Sequence, residues 1–445
     1  MRYTPCRSQQ MAQDAGDSPE FGEGSSNSPR IDSWFWGACR HNSDCIRGRC
    51  ARLTHPGPAC ANDMINAKTA AVSIMLGLAP LLMSCTPAPT GTSKRATHDE
   101  APVLTHTALQ STADSLVVVD ALGRRLRFQE PPRRIVLPGR AVFITADAIL
   151  LFPGVGKRIV ATGKSGQGAA NFISLIDPDL ASKAILTEES GPEQIAGFRP
   201  DTVILKSYLA PSLGNAVEAL GIPVVYVDFE TPDQYFRDLQ TLGQLLGQRQ
   251  RAAELIEYYR ASVRRVQRNL QGLEEKQKRR VLLLYYSDKD GKVAFGVPPS
   301  SWIQTKMTEM AGGIPVRKDA NPGQGWATVT LEQIMAWDPD VVFLISYWRN
   351  PQDVVRGLRS DPTWNQLRAM KTQKVYAFAG DLYSWDQPSP RWVLGLIWMA
   401  KKIYPESFAD VDIMAVAEDF YRVAYGLNSS FFLKKIRNAF QGDLH

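Results

Sequence analysis

Apolar positions along this chain fall into three patterns, each predicting a different kind of element. Val203-Ile204-Leu205 and Val341-Val342-Phe343-Leu344-Ile345 are short unbroken runs, the signature of parallel strands buried on both faces. Arg158–Thr162, Ile222–Val227, Arg280–Tyr286 and Lys374–Phe378 read as further strands. Leu116–Asp120 and Arg125–Phe128 flank a turn at Leu122-Gly123 and predict a hairpin. Ile256, Tyr259, Val263, Val266 and Leu270 step by three and four residues and form one apolar stripe. That stripe predicts a helix from Arg249 to Leu273, about 35 Å long at 1.5 Å per residue, separated near Gly243–Gly247 from helical sequence that starts around Gln234. Helices are also expected at Ala141–Leu151, Leu213–Leu220, Ser301–Ala311, Trp392–Tyr404 and Ile413–Tyr425.

One unit of this pattern occurs twice. Glu193-Gln194-Ile195, three variable residues and Pro200-Asp201 lead into the first apolar run. Glu332-Gln333-Ile334, three variable residues and Pro339-Asp340 lead into the second, and the runs end at Ser207-Tyr208 and Ser346-Tyr347. Each copy reads as a short helix, a turn and a buried strand, with the helix stopping before proline. Ser190 and Glu193 have capping-box spacing in the first copy, and Thr330 and Gln333 supply the cap in the second. A period of about 140 residues is too long for a solenoid, whose repeats run ~20–50 residues. It predicts two similar α/β lobes with a site between them.

Composition narrows the chemistry. At 445 residues, with 44% hydrophobic and 22% charged residues and a net charge of +6, the chain has room for two to three domains. The densest basic run, Lys276–Arg280, reads as a solvated connection, and no basic stripe or nucleic-acid-binding module is present, so nucleic acid is not expected as a partner. All six cysteines lie between Cys6 and Cys85, and only His98, His106 and His445 follow. The main body therefore has no thiolate or multi-histidine metal site and no serine–histidine machinery.

Met64–Lys68, the apolar stretch Thr69–Leu81 and Leu82-Met83-Ser84-Cys85 have the layout of a secretory signal. The apolar stretch, interrupted by Gly77 and Pro80, is shorter than the ~20 residues a membrane span needs. The segment resembles a bacterial lipoprotein signal, which implies cleavage before Cys85 and lipidation of its sulfur. An export signal acts near the start of a chain, so translation is expected to begin at Met64 and residues 1–63 to form no stable fold, despite the cluster Cys39, Cys45, Cys50 and Cys60. The expected organisation is thus 1–63 as an extension, 64–84 as the signal and 85–114 as a flexible tether. An N-terminal lobe (115–248), an interlobe helix (249–275) and a C-terminal lobe (276–440) follow.

Pro132-Arg133-Arg134-Ile135-Val136, the paired repeat units, Ala219-Leu220-Gly221-Ile222-Pro223-Val224 and Pro388-Ser389-Pro390-Arg391-Trp392 resemble the helical-backbone class of ABC-importer substrate-binding proteins. The resemblance covers residues 115–430. It implies an α/β fold of two Rossmann-like lobes joined by one long backbone helix, with the ligand cleft between the lobes. It implies no enzyme activity and no resident cofactor or metal; an enzyme or a non-transport sensor using the same two-lobed cleft is the rival class. The bound ligand would be an iron complex, with ferric siderophore preferred, haem and corrinoid next, and molybdate or tungstate as the oxyanion alternative. The expected partners are an ABC importer permease dimer with its ATPase and, through the lipid anchor, the extracytoplasmic face of the cell membrane. The receptor itself is expected to be a monomer. Glu193 and Glu332 fall where this class presents one glutamate per lobe to permease arginines.

Rival readings have less support. Gly163-Lys164-Ser165 follows a strand, but Arg158 stands where a phosphate loop needs its first glycine. Asp288–Gly291 lacks the later ligands of a calcium loop. Asp228, Glu230, Asp381 and Asp386 read as turn and cap residues rather than an acid–base pair. Ligands of open α/β sheets sit beyond the carboxyl ends of the strands. That points to Arg140, the Gly163–Asn171 loop and Tyr208 in the first lobe, and to Tyr286, Gln324 to Trp326, Tyr347, Trp385 and Arg391 in the second. Arg391 precedes a helix start, where the dipole disfavours a cation, so an anionic ligand is expected to compensate it.

Overall fold

The computed structural model describes residues 115–164, 166, 171–316, 318–323 and 325–444. Residues 1–114, which include the expected signal, the expected lipidation site Cys85 and the expected tether, lie outside the described residues, as do part of the 163–171 loop and Gln324. The N-terminal lobe comprises β1 Leu116–Val119, β2 Arg125–Phe128, β3 Ile135–Leu137, α1 Val142–Ile149, β4 Ile159–Gly163, α2 Ile173–Ile176, β5 Ala184–Leu186, α3 Pro192–Ala196, β6 Thr202–Lys206, α4 Asn215–Ala219, β7 Val224–Val227 and α5 Pro232–Leu245. After α6 (Arg249–Asn269), the C-terminal lobe comprises β8 Arg280–Ser287, β9 Ala294–Val297, α7 Ile303–Met310, β10 Ile314–Pro315, β11 Ala327–Val329, α8 Leu331–Trp337, β12 Val341–Ile345, α9 Pro351–Arg359, α10 Arg368–Lys371, β13 Val375–Ala377, α11 Trp392–Ile403 and α12 Ile413–Tyr425.

The first lobe's sheet runs β5-β4-β3-β6-β7 and is parallel throughout. The second runs β11-β9-β8-β12-β13, parallel from β8 to β13 with β9 and β11 antiparallel at its edge. Strand alternation explains how the lobes join. Ile135, Leu137, Ile204, Val225 and Val227 of the first sheet enter the same core as Val281, Leu283, Val341, Phe343 and Ile345 of the second. Their strand neighbours face separate outer cores, Val136, Val203, Leu205, Val224 and Tyr226 in one lobe and Leu282, Leu284, Val342 and Leu344 in the other.

Helix α6 contributes Leu255, Tyr259 and Val266 to the shared core, so its apolar stripe is buried where the lobes meet. Its 21 residues span about 30 Å. It ends before the predicted Leu273, with Gly272 just beyond at φ +85°. Gly247, at φ +73°, breaks the chain between α5 and α6, since only glycine adopts that geometry without strain.

The repeated unit performs the same task twice. The Asp201 carboxylate accepts the N–H groups of Arg133 (2.7 Å) and Arg134 (2.8 Å), where the chain enters β3. The Asp340 carboxylate accepts the N–H of Arg280 (2.8 Å) at the start of β8. In return, the Arg134 guanidinium donates to the carbonyls of Phe198 (2.7 Å) and Arg199 (3.1 Å). Arg280 does the same for Trp337 (2.6 Å) and Asp338 (3.2 Å). The helix caps match the prediction only in the second copy, where Thr330 and Gln333 bond reciprocally. In the first, the cap is Gly191, whose N–H goes to Gln194 (3.0 Å). Ser190 is diverted to the N–H of Thr187 (3.0 Å).

Candidate functional site

The carboxyl ends of the parallel strands carry the candidate residues. On the N-terminal lobe, Arg140 follows β3 and pairs with Glu188 at 2.9 Å. Lys206, at the end of β6, is buried and pairs with Glu230 at 2.6 Å. Tyr208 is 56% exposed. The protein around its hydroxyl, and then Glu230, push the group up to about 12, so at neutral pH it is a phenol that can donate a hydrogen bond.

On the C-terminal lobe, the strand ends carry a row of rings. Tyr285 lies 5.1 Å from Trp326 and 5.0 Å from Tyr347 between ring centroids, tilted by about 30° to each. Trp302 meets Trp326 edge-on at 5.7 Å. Gly296 sits opposite Tyr285 on β9, and a Cβ there would lie 3.2 Å from that of Trp326. The glycine thus makes the room in which the indole lies beside Tyr285. All four rings are half-buried.

Below the row, the Tyr347 hydroxyl donates to the Asp386 carboxylate at 2.7 Å. Ser384 (2.5 Å) and the Gln304 amide nitrogen (3.1 Å) donate to the same carboxylate. Asp386 is fully buried, and burial pushes its carboxyl up while the hydrogen bonds pull it back.

Three of the predicted residues do not belong to this surface. Tyr286 points to the outer core against Phe295, because successive residues of β8 face opposite ways. Tyr285, one position earlier, takes the site face. Trp385 is fully buried, its indole N–H donating to Asp381 at 2.9 Å and its ring meeting Phe440 of the C-terminal segment. Arg391 is fully buried as well. Its guanidinium bonds Asp147 of α1 and lies 2.9 Å from Asp381, with Phe172 stacked 4.1 Å away. The anions that compensate Arg391 are these two carboxylates, drawn from both lobes, rather than a ligand.

Arg140, Tyr208, Trp326 and Tyr347 remain at strand ends. Tyr285, Trp302, Gln304 and the bond from Tyr347 to Asp386 were missed from the sequence. The phase of β8 was the available signal for Tyr285, whereas Trp302 and Gln304 come from a segment distant in sequence. A groove of about 510 Å³ lies elsewhere, between α5 and α6. Among the described residues no group of three or more His, Cys, Asp or Glu is placed to hold a metal ion, and no helix is long and apolar enough to cross a membrane.

Lobes of parallel strands, a connecting helix and candidate groups gathered at strand ends are the layout of a two-lobed binding-protein fold, and comparison with known proteins agrees. Residues 177–382 match the periplasmic binding protein family. The molybdate-binding protein MolA of Haemophilus influenzae is 24% identical over 69% of this chain and 90% of its own length. A periplasmic solute-binding protein from Veillonella parvula superimposes with a TM-score of 0.57 at 26% identity, over 71% of this chain and 94% of its own. CeuE of Helicobacter pylori, solved as a Ni-His complex, gives a TM-score of 0.58 at 19% identity, over 72% and 99%. Over residues 177–382 the chain is thus similar to the periplasmic binding protein family, and over most of its described length to solute-binding proteins of that fold.

Proposed function

We propose that the protein captures a metal chelate outside the cytoplasm, a ferric siderophore before haem or a corrinoid, and delivers it to the permease dimer of an ABC importer. It does so as a monomer held to the membrane through lipidated Cys85, and it binds its cargo without turning it over. The observation that carries the choice of ligand is the ring row Trp302–Trp326–Tyr285–Tyr347, an apolar surface suited to the organic shell of a chelate. A bare oxyanion makes little use of such a surface. The charged donors Arg140 and Lys206 are already matched by Glu188 and Glu230.

The second reading, a molybdate or tungstate receptor, is favoured by the relative named for molybdate binding. Tryptophan fluorescence titrated with ferric siderophores, haem, a corrinoid, molybdate and tungstate separates the two. Quenching that saturates at micromolar or lower chelate, with no response to either oxyanion, is expected. Tight binding of molybdate with no chelate response would replace the first reading by the second. Tight binding of free divalent metal would overturn both.

A further inference from the structure

The C-terminal half of the site sets aromatic rings beside buried oxygen acceptors. Aromatic ring faces carry negative quadrupole potential and attract cations, and Tyr285, Trp326 and Tyr347 form a continuous row of such rings. Beneath them the Asp386 carboxylate is reached by Tyr347, Gln304 and Ser384. The bond from the Gln304 amide nitrogen to Asp386 fixes which end of that amide is the oxygen. This oxygen, Oε1, is buried and has no hydrogen-bond partner. Gln387, next in the chain to Asp386, also has a buried Oε1 without a partner. A buried acceptor left unpaired is costly, and only a donor relieves it.

Cations at the strand ends are largely neutralised. Arg140 is paired with Glu188, Lys206 with Glu230, and Arg349 with Asp288. Lys164, Lys289 and Lys292, in the connections after β4 and β8, are exposed to solvent. We propose that the ring row and the Asp386–Gln304–Gln387 floor form a subsite for the protonated amine of the carried molecule, which makes a cationic chelate the preferred cargo. This rests on the chelate-carrier reading above and adds the sign of the charge that the C-terminal lobe selects. The ammonium group lies against the rings and directs its N–H groups towards the floor oxygens.

Calorimetric titration of the full-length protein with three ferric trihydroxamates tests the subsite. One carries a free terminal amine, one has that amine acetylated and neutral, and one has it succinylated and anionic. The amine form is expected to bind about tenfold or more tightly than the acetylated form, and the succinylated form most weakly. In Asp386→Asn the first preference is expected to fall below about threefold. The wild-type series decides the matter even where that variant folds poorly. Equal affinities, or tightest binding of the anionic form, overturn the subsite and leave the chelate carrier standing. Binding of none of the three, with molybdate bound, overturns the carrier reading and this inference with it.

Discussion

Arg391 and Asp147 come from opposite lobes and meet where neither is exposed. Asp381 and the hydroxyls of Tyr421 and Tyr425 complete the cluster. Removing one member of such a group strands the others without water, which costs several kcal/mol, on the order of 3–5. Burial pushes the Asp147 carboxyl above its ordinary 3.8. Arg391 and Tyr425 pull it partly back, and Asp381 adds to the rise. The folded protein therefore holds this proton to a higher pH than the unfolded chain does. Asp147's contribution to stability is greatest at low pH and declines as pH rises from 3.8 through the raised folded value. Asp147→Asn removes that titration. Urea unfolding across this window should show the wild type losing stability relative to the variant as pH rises, with the two profiles running parallel above it. A difference that stays flat, or that grows in the wild type's favour, would contradict the assignment.

At the scale of elements, strands and helices were legible where pattern and length agreed. The hairpin β1–β2, the buried runs β6 and β12 and helix α12 lie where the periodicity puts them. Their signals are local: two strictly apolar runs, a Leu-Gly turn and a stripe of period near 3.6. Site residues were harder because a one-residue change of phase moves a side chain to the other face. Tyr285 and Tyr286 are chemically alike, and only the pairing of β8 with β9 and β12 separates them. The loop after β13 was hardest, because its burial comes from the C-terminal segment, which bridges Gly380 through Gln441.

Packing here also reverses a propensity argument. Gly395 lies inside α11, where alanine ordinarily gains roughly 0.5–1 kcal/mol. A Cβ at this position would lie 2.4 Å from the Trp385 carbonyl oxygen, a backbone atom that cannot swing aside. Gly395→Ala is therefore expected to cost about 1–3 kcal/mol, seen as a lower midpoint in denaturant. A gain in stability would show that the 380–391 loop yields more easily than its burial implies.

At the scale of the molecule, the repeat sets matching helices in matching positions on two lobes. Glu193 and Glu332 occupy the first turns of α3 and α8 and are both exposed. Their interaction with the helix dipole is worth only ~0.3–1 kcal/mol each, a role many residues could fill. As docking groups for a two-fold permease they would matter for transport alone. Glu193→Gln with Glu332→Gln is expected to leave unfolding and chelate affinity within error. It should weaken permease association and uptake, the double variant more than either single one, with the difference from the wild type shrinking as salt screens the charges. Normal transport by the double variant, or loss of ligand in either single one, removes the docking assignment.

Two α/β lobes, their internal repeat, the long helix between them and the family resemblance were determined by the sequence alone. Each rests on periodicity, or on short motifs whose meaning is carried by neighbouring residues. Which charges are available and which are spent was decided only by tertiary structure. Arg391 carries the same charge as Arg140, but a carboxylate 244 positions away along the chain buries one as a strut, while the other stays at the rim. Ion pairs and ring contacts act over a few ångströms of space, and sequence distance does not record that separation.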